Sequence, residues 1–296
     1  MQAGKSIFLY VSWRWLILKI IEKEIMTKDL LTKSNLPASD YVINPYIGCP
    51  HACKYCYARF MKRFTGHTEA WGSFIDIKCC DKPINIKKLY HKSVFISSVT
   101  DCYNPFEEKY QATRRILEQL KAADCFVTIS TKSNLILKDI DLLKQFQNLT
   151  IAVSINTLDE NFQKDMDCAS SIRERIETLK TLHSQGIHTV LFMSPIFPLI
   201  TDFKEIIEAT KAYVCEYWFE NLNLRGEYKQ DILLYISEHY PQYLSDYKKI
   251  YNEKNLKYWE QLADDIDQYC QNNHIKYTNY FYHSLLVAQK KGKLPS

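Results

Sequence analysis

The 296 residues hold no Gly/Ser-rich linker, no internal repeat and no low-complexity block. That argues against a string of small modules or a solenoid, and for one domain with extensions. Neither sign of charge dominates, since 38 basic and 34 acidic side chains leave a formal net charge of +4. A heavily basic nucleic-acid binder is disfavoured, while a local basic groove stays open. The apolar and aromatic run at residues 6–21 (SIFLYVSWRWLILKII) is broken by Arg14 and Lys19, and it falls short of the roughly 20 apolar residues that a spanning helix needs. No small-residue cleavage site follows it, so neither a secretory signal nor a stable membrane span is expected. The run reads as an extra helix packed on the domain, as an interfacial membrane anchor, or as translated sequence upstream of a start at Met26.

What the chain does have is enough apolar material for a sizeable core, 46% of its residues, and ten cysteines. Cys79 and Cys80 are adjacent, and Cys53 and Cys56 are separated by two residues, spacings too close for a secreted disulfide framework. A reducing, cytoplasmic setting follows, where clustered cysteines are metal ligands or reactive thiols.

From Asp40 onward, β-rich runs alternate with helical ones. Strands are expected at 41–44, 93–99, 125–131, 149–155, 188–194 and 213–219, and helices at 57–64, 106–121, 139–146, 171–184 and 203–211. In the second helix Asn104 is placed to cap, Pro105 suits a first turn, and Ile116, Leu117 and Leu120 face inward. Six strand–helix alternations predict an α/β fold with a parallel sheet or barrel, whose chemistry sits at the carboxyl ends of the strands. Thr100, Asp101, Lys132, Asn156 and Pro195 fall at those ends. Beyond residue 228 the chain turns rich in Tyr, Lys, Asn and Gln, and HYPQYLSDYKKIYNEKNLKYWEQLADDIDQYCQ reads as amphipathic helix. The expected division is an N-terminal extension (1–39), a core (40–227) and a helical C-terminal extension (228–296).

The chemistry concentrates in NPYIGCPHACKYCYARF, residues 44–60, where Cys49, Cys53 and Cys56 stand in C-x3-C-x2-C spacing. Soft thiolates in a short loop select iron–sulfur clusters or zinc. A structural zinc asks for four ligands, and His51 inside the loop is awkwardly spaced to be the fourth. A cluster held by three cysteines leaves one iron open, which is the mark of a working metal site.

This spacing, with Tyr57 after the third cysteine, resembles the signature of the radical S-adenosylmethionine (SAM) superfamily. The resemblance covers about residues 40–225 and implies a partial (β/α)6 TIM-type barrel, a 4Fe-4S cluster on Cys49, Cys53 and Cys56, and SAM on its open iron. It implies cleavage of SAM to a 5'-deoxyadenosyl radical that abstracts hydrogen from a substrate, with electrons from a flavodoxin- or ferredoxin-type donor. The segments NPYIGCPHACKYCYAR, SSVTDCYNPFEEKYQATRRILEQL and ISTKSNLILKDIDLL look like the spore photoproduct lyase-like branch, which implies a lyase or transferase acting on DNA or RNA in repair or modification. The chain lacks the Gly-Gly-Glu motif that often holds the SAM amino group; Ser98, Thr100 and Asp101 take that position. By the same resemblance Tyr57 lies by the adenine, Lys132 with Ser133 meets the SAM carboxylate or a substrate phosphate, Ser154 and Asn156 meet the ribose, and Pro195 and Ile196 adjoin the adenine. Cys102 stands where relatives carry proline and is a candidate hydrogen-atom donor, and His51 orders the loop or donates to a cluster sulfide. The remaining cysteines read as structural.

Two alternatives stay open: the same chemistry on a peptide or partner protein, docked by the Tyr-rich extension, or a non-catalytic zinc or iron–sulfur module. Support for nucleic acid lies in ARFMKRF (58–64), where Arg59, Lys62 and Arg63 alternate with two phenylalanines.

Overall fold

The computed structural model describes residues 20–281 together with 286, 287 and 290. All but the last two residues of the apolar run at 6–21 lie outside the described residues. The chain begins with β1 (Ile21–Met26), β2 (Leu31–Lys33), β3 (Tyr41–Ile43) and β4 (Tyr46–Ile47). After the cysteine loop come a 3-10 helix (Tyr57–Phe64), β5 (Phe74–Cys79) and β6 (Ser93–Ile96). Next are α1 (Glu107–Tyr110), α2 (Ala112–Leu120), β7 (Phe126–Thr131), α3 (Ile140–Leu143), β8 (Leu149–Ser154), α4 (Glu160–Met166) and α5 (Ile172–Ser184). β9 (His188–Ile196), α6 (Phe203–Thr210), β10 (Glu216–Asn221), α7 (Gly226–His239), α8 (Leu244–Tyr251), α9 (Lys257–Asn272) and β11 (Tyr277–Asn279) complete it.

Eight strands form one sheet in the order β11-β10-β9-β8-β7-β6-β3-β2. Every neighbouring pair is parallel except β2 with β3. Each later parallel strand joins the same side of its predecessor, without the reversal of a doubly wound sheet, and right-handed crossovers then carry the connecting helices to one face. The two faces differ with the strand period of two. Val94, Ile96, Val127, Ile129, Ile151 and Val153 are buried in the main core with Leu117 of α2 and Leu179 of α5. The alternate positions, Phe95, Thr128, Ser130, Phe192, Ser194 and Trp218, line a cavity on the opposite face.

Several elements depart from the sequence expectation. The helix expected over 106–121 is split at Gln111, whose φ of 47° is left-handed. Buried Glu107 accepts from the backbone N–H groups of Thr113 and Arg114, both at 3.0–3.1 Å, and so caps α2 from outside it. Asn104 caps less than expected: its side chain accepts from Phe106 N, and the helix starts at Glu107. Pro241 ends α7, because it cannot continue the hydrogen-bond ladder, and α8 and α9 follow as separate helices. The C-terminal segment is not helical throughout, since β11 extends the parallel sheet beside β10. The segment before Asp40 contributes β2 to the edge of that sheet and β1 to a small second sheet, β1-β5-β4.

Arg175 and Asp167 form an internal ion pair. Arg175 of α5 has no exposed surface, and its guanidinium bonds Asp167, whose exposure is 5%. The same guanidinium donates to the carbonyls of Ser170 (2.8 Å) and Ser154 (3.2 Å), tying α5 to the end of β8. Burial pushes the Asp167 carboxyl up, but Arg175 and Lys132 outweigh it and hold it below its ordinary value. Arg175→Leu strands that carboxylate and should cost about 3–5 kcal/mol of unfolding free energy in urea at neutral pH. A carboxyl depressed on folding gives stability that is present above its unfolded value near 3.9 and lost as pH falls through the folded one. The wild-type advantage over the variant should therefore shrink below about pH 4.

Candidate active site

The cysteine loop leaves β3 and crosses the carboxyl ends of the parallel strands. It has little regular structure, and its own backbone bonds include Ala52 N to Cys49 O (3.2 Å) and Cys56 N to Cys53 O (3.1 Å). Other groups fix it. Asn44 donates to Ser98 Oγ (2.9 Å) and accepts from Val99 N (3.1 Å), joining the loops after β3 and β6. Thr100 Oγ1 donates to the Gly48 carbonyl (2.8 Å). On the other side Lys54 N donates to Met166 O and Cys168 N to His51 O, while Tyr55 OH donates to Asp167 (3.0 Å). Gly48 is required by its φ of 86° and because a Cβ would meet Phe74 O at 2.4 Å.

Cys49, Cys53 and Cys56 all open on the cavity of about 380 Å³ that runs along the inner sheet face. Cys49 and Cys53 are buried, and Cys56 is half-buried. Burial is the main cause that raises the thiols of Cys53 and Cys56, the latter to about 11. Among the described residues no three His, Cys, Asp or Glu side chains converge tightly enough to grip one ion. Three soft thiols on one cavity, without a fourth ligand among the described residues to close a tetrahedron, suit a centre of several irons, each taking its own thiol, better than a single zinc. The three-sulfur donor set thus fits an iron–sulfur cluster.

Asp101 is buried behind this loop. Its carboxylate accepts from Thr131 Oγ1 (2.7 Å), Lys132 N (2.7 Å) and Tyr103 N (2.9 Å). His51 Nδ1 lies 3.3 Å from Asp101 Oδ2 but makes no aligned hydrogen bond, so the pair is a charge contact. Burial works against both charges; the mutual contact outweighs it, lowering the Asp101 carboxyl and, with Cys49, raising the His51 ring.

Lys132, Ser154, Tyr57, Ser98, Thr100 and Asp101 all line the same cavity as the cysteines. Tyr57 stands half-exposed at its mouth, its OH donating to the Ser98 carbonyl. Five residues that the resemblance assigns to the site, Cys102, Ser133, Asn156, Pro195 and Ile196, are not among those lining the cavity. Cys102 has no exposed surface and lies in the main core, because the turn that aims Asp101 inward rotates the next side chain away; a hydrogen-atom donor role is not supported by this placement. Asn156 is not among the cavity residues, and its amide donates to the Pro195 carbonyl (2.9 Å). Sequence reasoning missed the far wall: Phe192, Ser194, Trp218, Glu220 and Tyr280. The legible signal was polar or aromatic residues at every second strand position opposite the aliphatics. A second cleft, of about 390 Å³, lies between Tyr103, Arg114 and Asp139; there Arg114 is spent on Asp139 (2.7 Å) and Asp141 (2.8 Å).

The sequence profile of the radical SAM superfamily matches residues 43–210, from the end of β3 to the end of α6. The chain belongs to the radical SAM superfamily. It is 39% identical over 230 residues to an uncharacterized protein of Methanocaldococcus jannaschii, covering 76% of this chain and 85% of the relative. A protein of Acidianus two-tailed virus is 34% identical over 184 residues, covering 57% of this chain and 60% of the relative. Among solved structures, spore photoproduct lyase complexed with dinucleoside spore photoproduct aligns at TM-score 0.54 and 16% identity, over 76% of this chain and 67% of that one. SuiB of Streptococcus suis bound to S-adenosylmethionine aligns at TM-score 0.53 and 16% identity, over 80% and 49%. This radical SAM protein is therefore an enzyme of a family that uses SAM and an iron–sulfur cluster. Among its described residues no helix is long and apolar enough to cross a membrane.

Gly48→Ala should lower stability by about 1–3 kcal/mol or more through forced backbone strain, measured in urea, and should reduce iron bound per chain after anaerobic reconstitution. Gly66→Ala, where nothing lies within 4 Å of the added Cβ, should change neither.

Proposed function

We propose that this radical SAM enzyme holds a 4Fe-4S cluster on Cys49, Cys53 and Cys56, binds SAM along the adjoining cavity, and abstracts hydrogen from a nucleic-acid substrate in repair or modification. The observation that carries the reading is a three-thiol loop that opens on a cavity whose walls carry a lysine and hydroxyls and, among the described residues, no fourth cysteine. The consecutive parallel order from β3 to β10 fits a partial (β/α)6 barrel. Residues 40–227 form its core, with 1–39 and 228–296 as extensions. All ten cysteines are unpaired, which fits a reducing cytoplasm.

When bound, the cluster and SAM supply the 5'-deoxyadenosyl radical that takes hydrogen from the substrate. The chain's residues bind and orient. Lys132, the one lysine or arginine lining the cavity among the described residues, faces the SAM carboxylate. Asp101 has given its oxygens to Thr131, Lys132 and Tyr103, so it serves the SAM ammonium through its charge, and Ser98 Oγ, which accepts from Asn44, keeps a second lone pair for it. Tyr57, held by the Ser98 carbonyl, flanks the adenine, and Ser154 meets the ribose. Half-buried Cys56 marks the side from which a flavodoxin- or ferredoxin-type donor delivers electrons.

The Cys49→Ala, Cys53→Ala, Cys56→Ala triple variant should lose both the iron–sulfur absorbance and SAM cleavage after anaerobic reconstitution; cleavage retained there overturns the cluster assignment. Lys132→Met should weaken SAM binding roughly 10- to 100-fold, the loss of one charge-assisted contact, by equilibrium dialysis. Ultraviolet-damaged DNA or bulk RNA should stimulate 5'-deoxyadenosine release. Stimulation by neither, with cleavage intact, moves the substrate to a peptide or partner protein.

A further inference from the structure

The 3-10 helix Tyr57–Phe64 follows the third cysteine and buries only Ala58. Its rings face outward: Tyr57 is 52% exposed, Phe60 41% and Phe64 67%. At three residues per turn, side chains three apart eclipse, so Tyr57, Phe60 and Arg63 share one face with Phe64 beside them. Phe60 and Phe64 meet edge to face, 6.5 Å between centroids. The Arg63 guanidinium lies 5.4 Å from the first and 5.2 Å from the second. The helix carries Arg59, Lys62 and Arg63 and no acid. Arg59 is paired with Asp231 (3.0 Å), whereas no ion pair among the described residues involves Lys62 or Arg63. The inner end of this ridge, Tyr57, lines the catalytic cavity.

Three large rings left in water beside two cations that no acid among the described residues neutralises, Lys62 donating only to the Thr68 carbonyl (2.9 Å), are a binding surface rather than a failed piece of core. The cores of protein interfaces are depleted in lysine, and a helix that interleaves Lys62 and Arg63 with flat rings and carries no acid instead matches a polyanion that exposes flat faces. A duplex keeps its bases stacked on one another; a single strand presents them to an aromatic platform. We propose that the Tyr57–Phe64 ridge receives single-stranded nucleic acid, with bases flanking the target stacked on Phe60 and Phe64, Lys62 and Arg63 on the phosphates, and Tyr57 leading the target base into the cavity. The assignment rests on the nucleic-acid reading of the substrate.

The test uses the full chain and a labelled mixed-sequence oligonucleotide of about a dozen nucleotides, a length suited to single-strand platforms, as DNA, as RNA and as a matching duplex, read by fluorescence anisotropy. Phe60→Ala with Phe64→Ala should weaken single-strand binding roughly tenfold or more and leave duplex binding unchanged. Phe60→Leu with Phe64→Leu, which keeps apolar bulk but removes the π faces, should weaken it too. Arg63→Gln should flatten the salt dependence by about 0.7 in log–log slope, one phosphate contact on a single strand. All should release 5'-deoxyadenosine without substrate at the wild-type rate. Unchanged single-strand affinity in either Phe variant overturns the ridge and leaves the nucleic-acid reading standing. A wild type that binds no oligonucleotide, or binds only anionic phosphatidylserine vesicles, overturns both while SAM cleavage remains as proposed.

Discussion

Two buried carboxylates, Asp101 and Asp167, hold the cysteine loop in place. A loop with few internal hydrogen bonds cannot keep three thiols at one cavity end by itself. Asp101 grips the end of β7 through Thr131 and Lys132 and faces His51 inside the loop. Asp167 accepts from Tyr55 in the loop and from Arg175 beneath it. Charge-assisted bonds of this kind are about twice as strong as neutral ones, and burial makes leaving either carboxylate unpaired costly. The loop is thus clamped between the carboxyl ends of β6 and β7 on one side and the α4–α5 side on the other.

Groups spent on that clamping are not free to bind. Thr100 donates to Gly48, Asp101 already accepts from three donors, Asn156 is committed to Pro195, and Cys102 sits in the core. These are the residue types a sequence reader assigns to ligand contacts, because polar loops at strand ends serve equally well to fasten one loop to the next. Lys132, Ser154 and Tyr57 escape this, each reaching the cavity with a side chain that the scaffold does not consume fully.

How far the molecule could be read from its residues follows the same division. β3 and β6 to β9 were legible because each carries buried aliphatics, β10 because it buries Tyr217 and Phe219, and α5 because Ser171 and Glu174 form a reciprocal cap. The short β4 and β11 and the exposed β1 carry no such run. The break at Gln111 was hidden because its cause, Glu107 capping a helix that starts five residues later, is a tertiary contact also accepted from Tyr46. C-x3-C-x2-C was visible as a local spacing, while the cavity's far wall comes from β9, β10 and Tyr280 after β11, all distant from it in sequence.

That far wall bears on what family membership can say. A sheet buried on both faces reads as continuous apolar runs, but here the inner face alternates hydroxyls, a carboxylate and aromatics against an outer face of aliphatics. Stability rests on the outer face and its helices, so the inner face is free to vary with little cost to folding. The superfamily match ends at residue 210, and Trp218, Glu220 and Tyr280 lie beyond it. Phe192, Trp218 and Tyr280 pack edge to face at 5.7–6.3 Å, beside the Ser194–Glu220 hydrogen bond of 2.5 Å. Membership accounts for the cysteine loop and the chemistry it implies; whatever distinguishes this cavity from those of its relatives is to be sought at these residues.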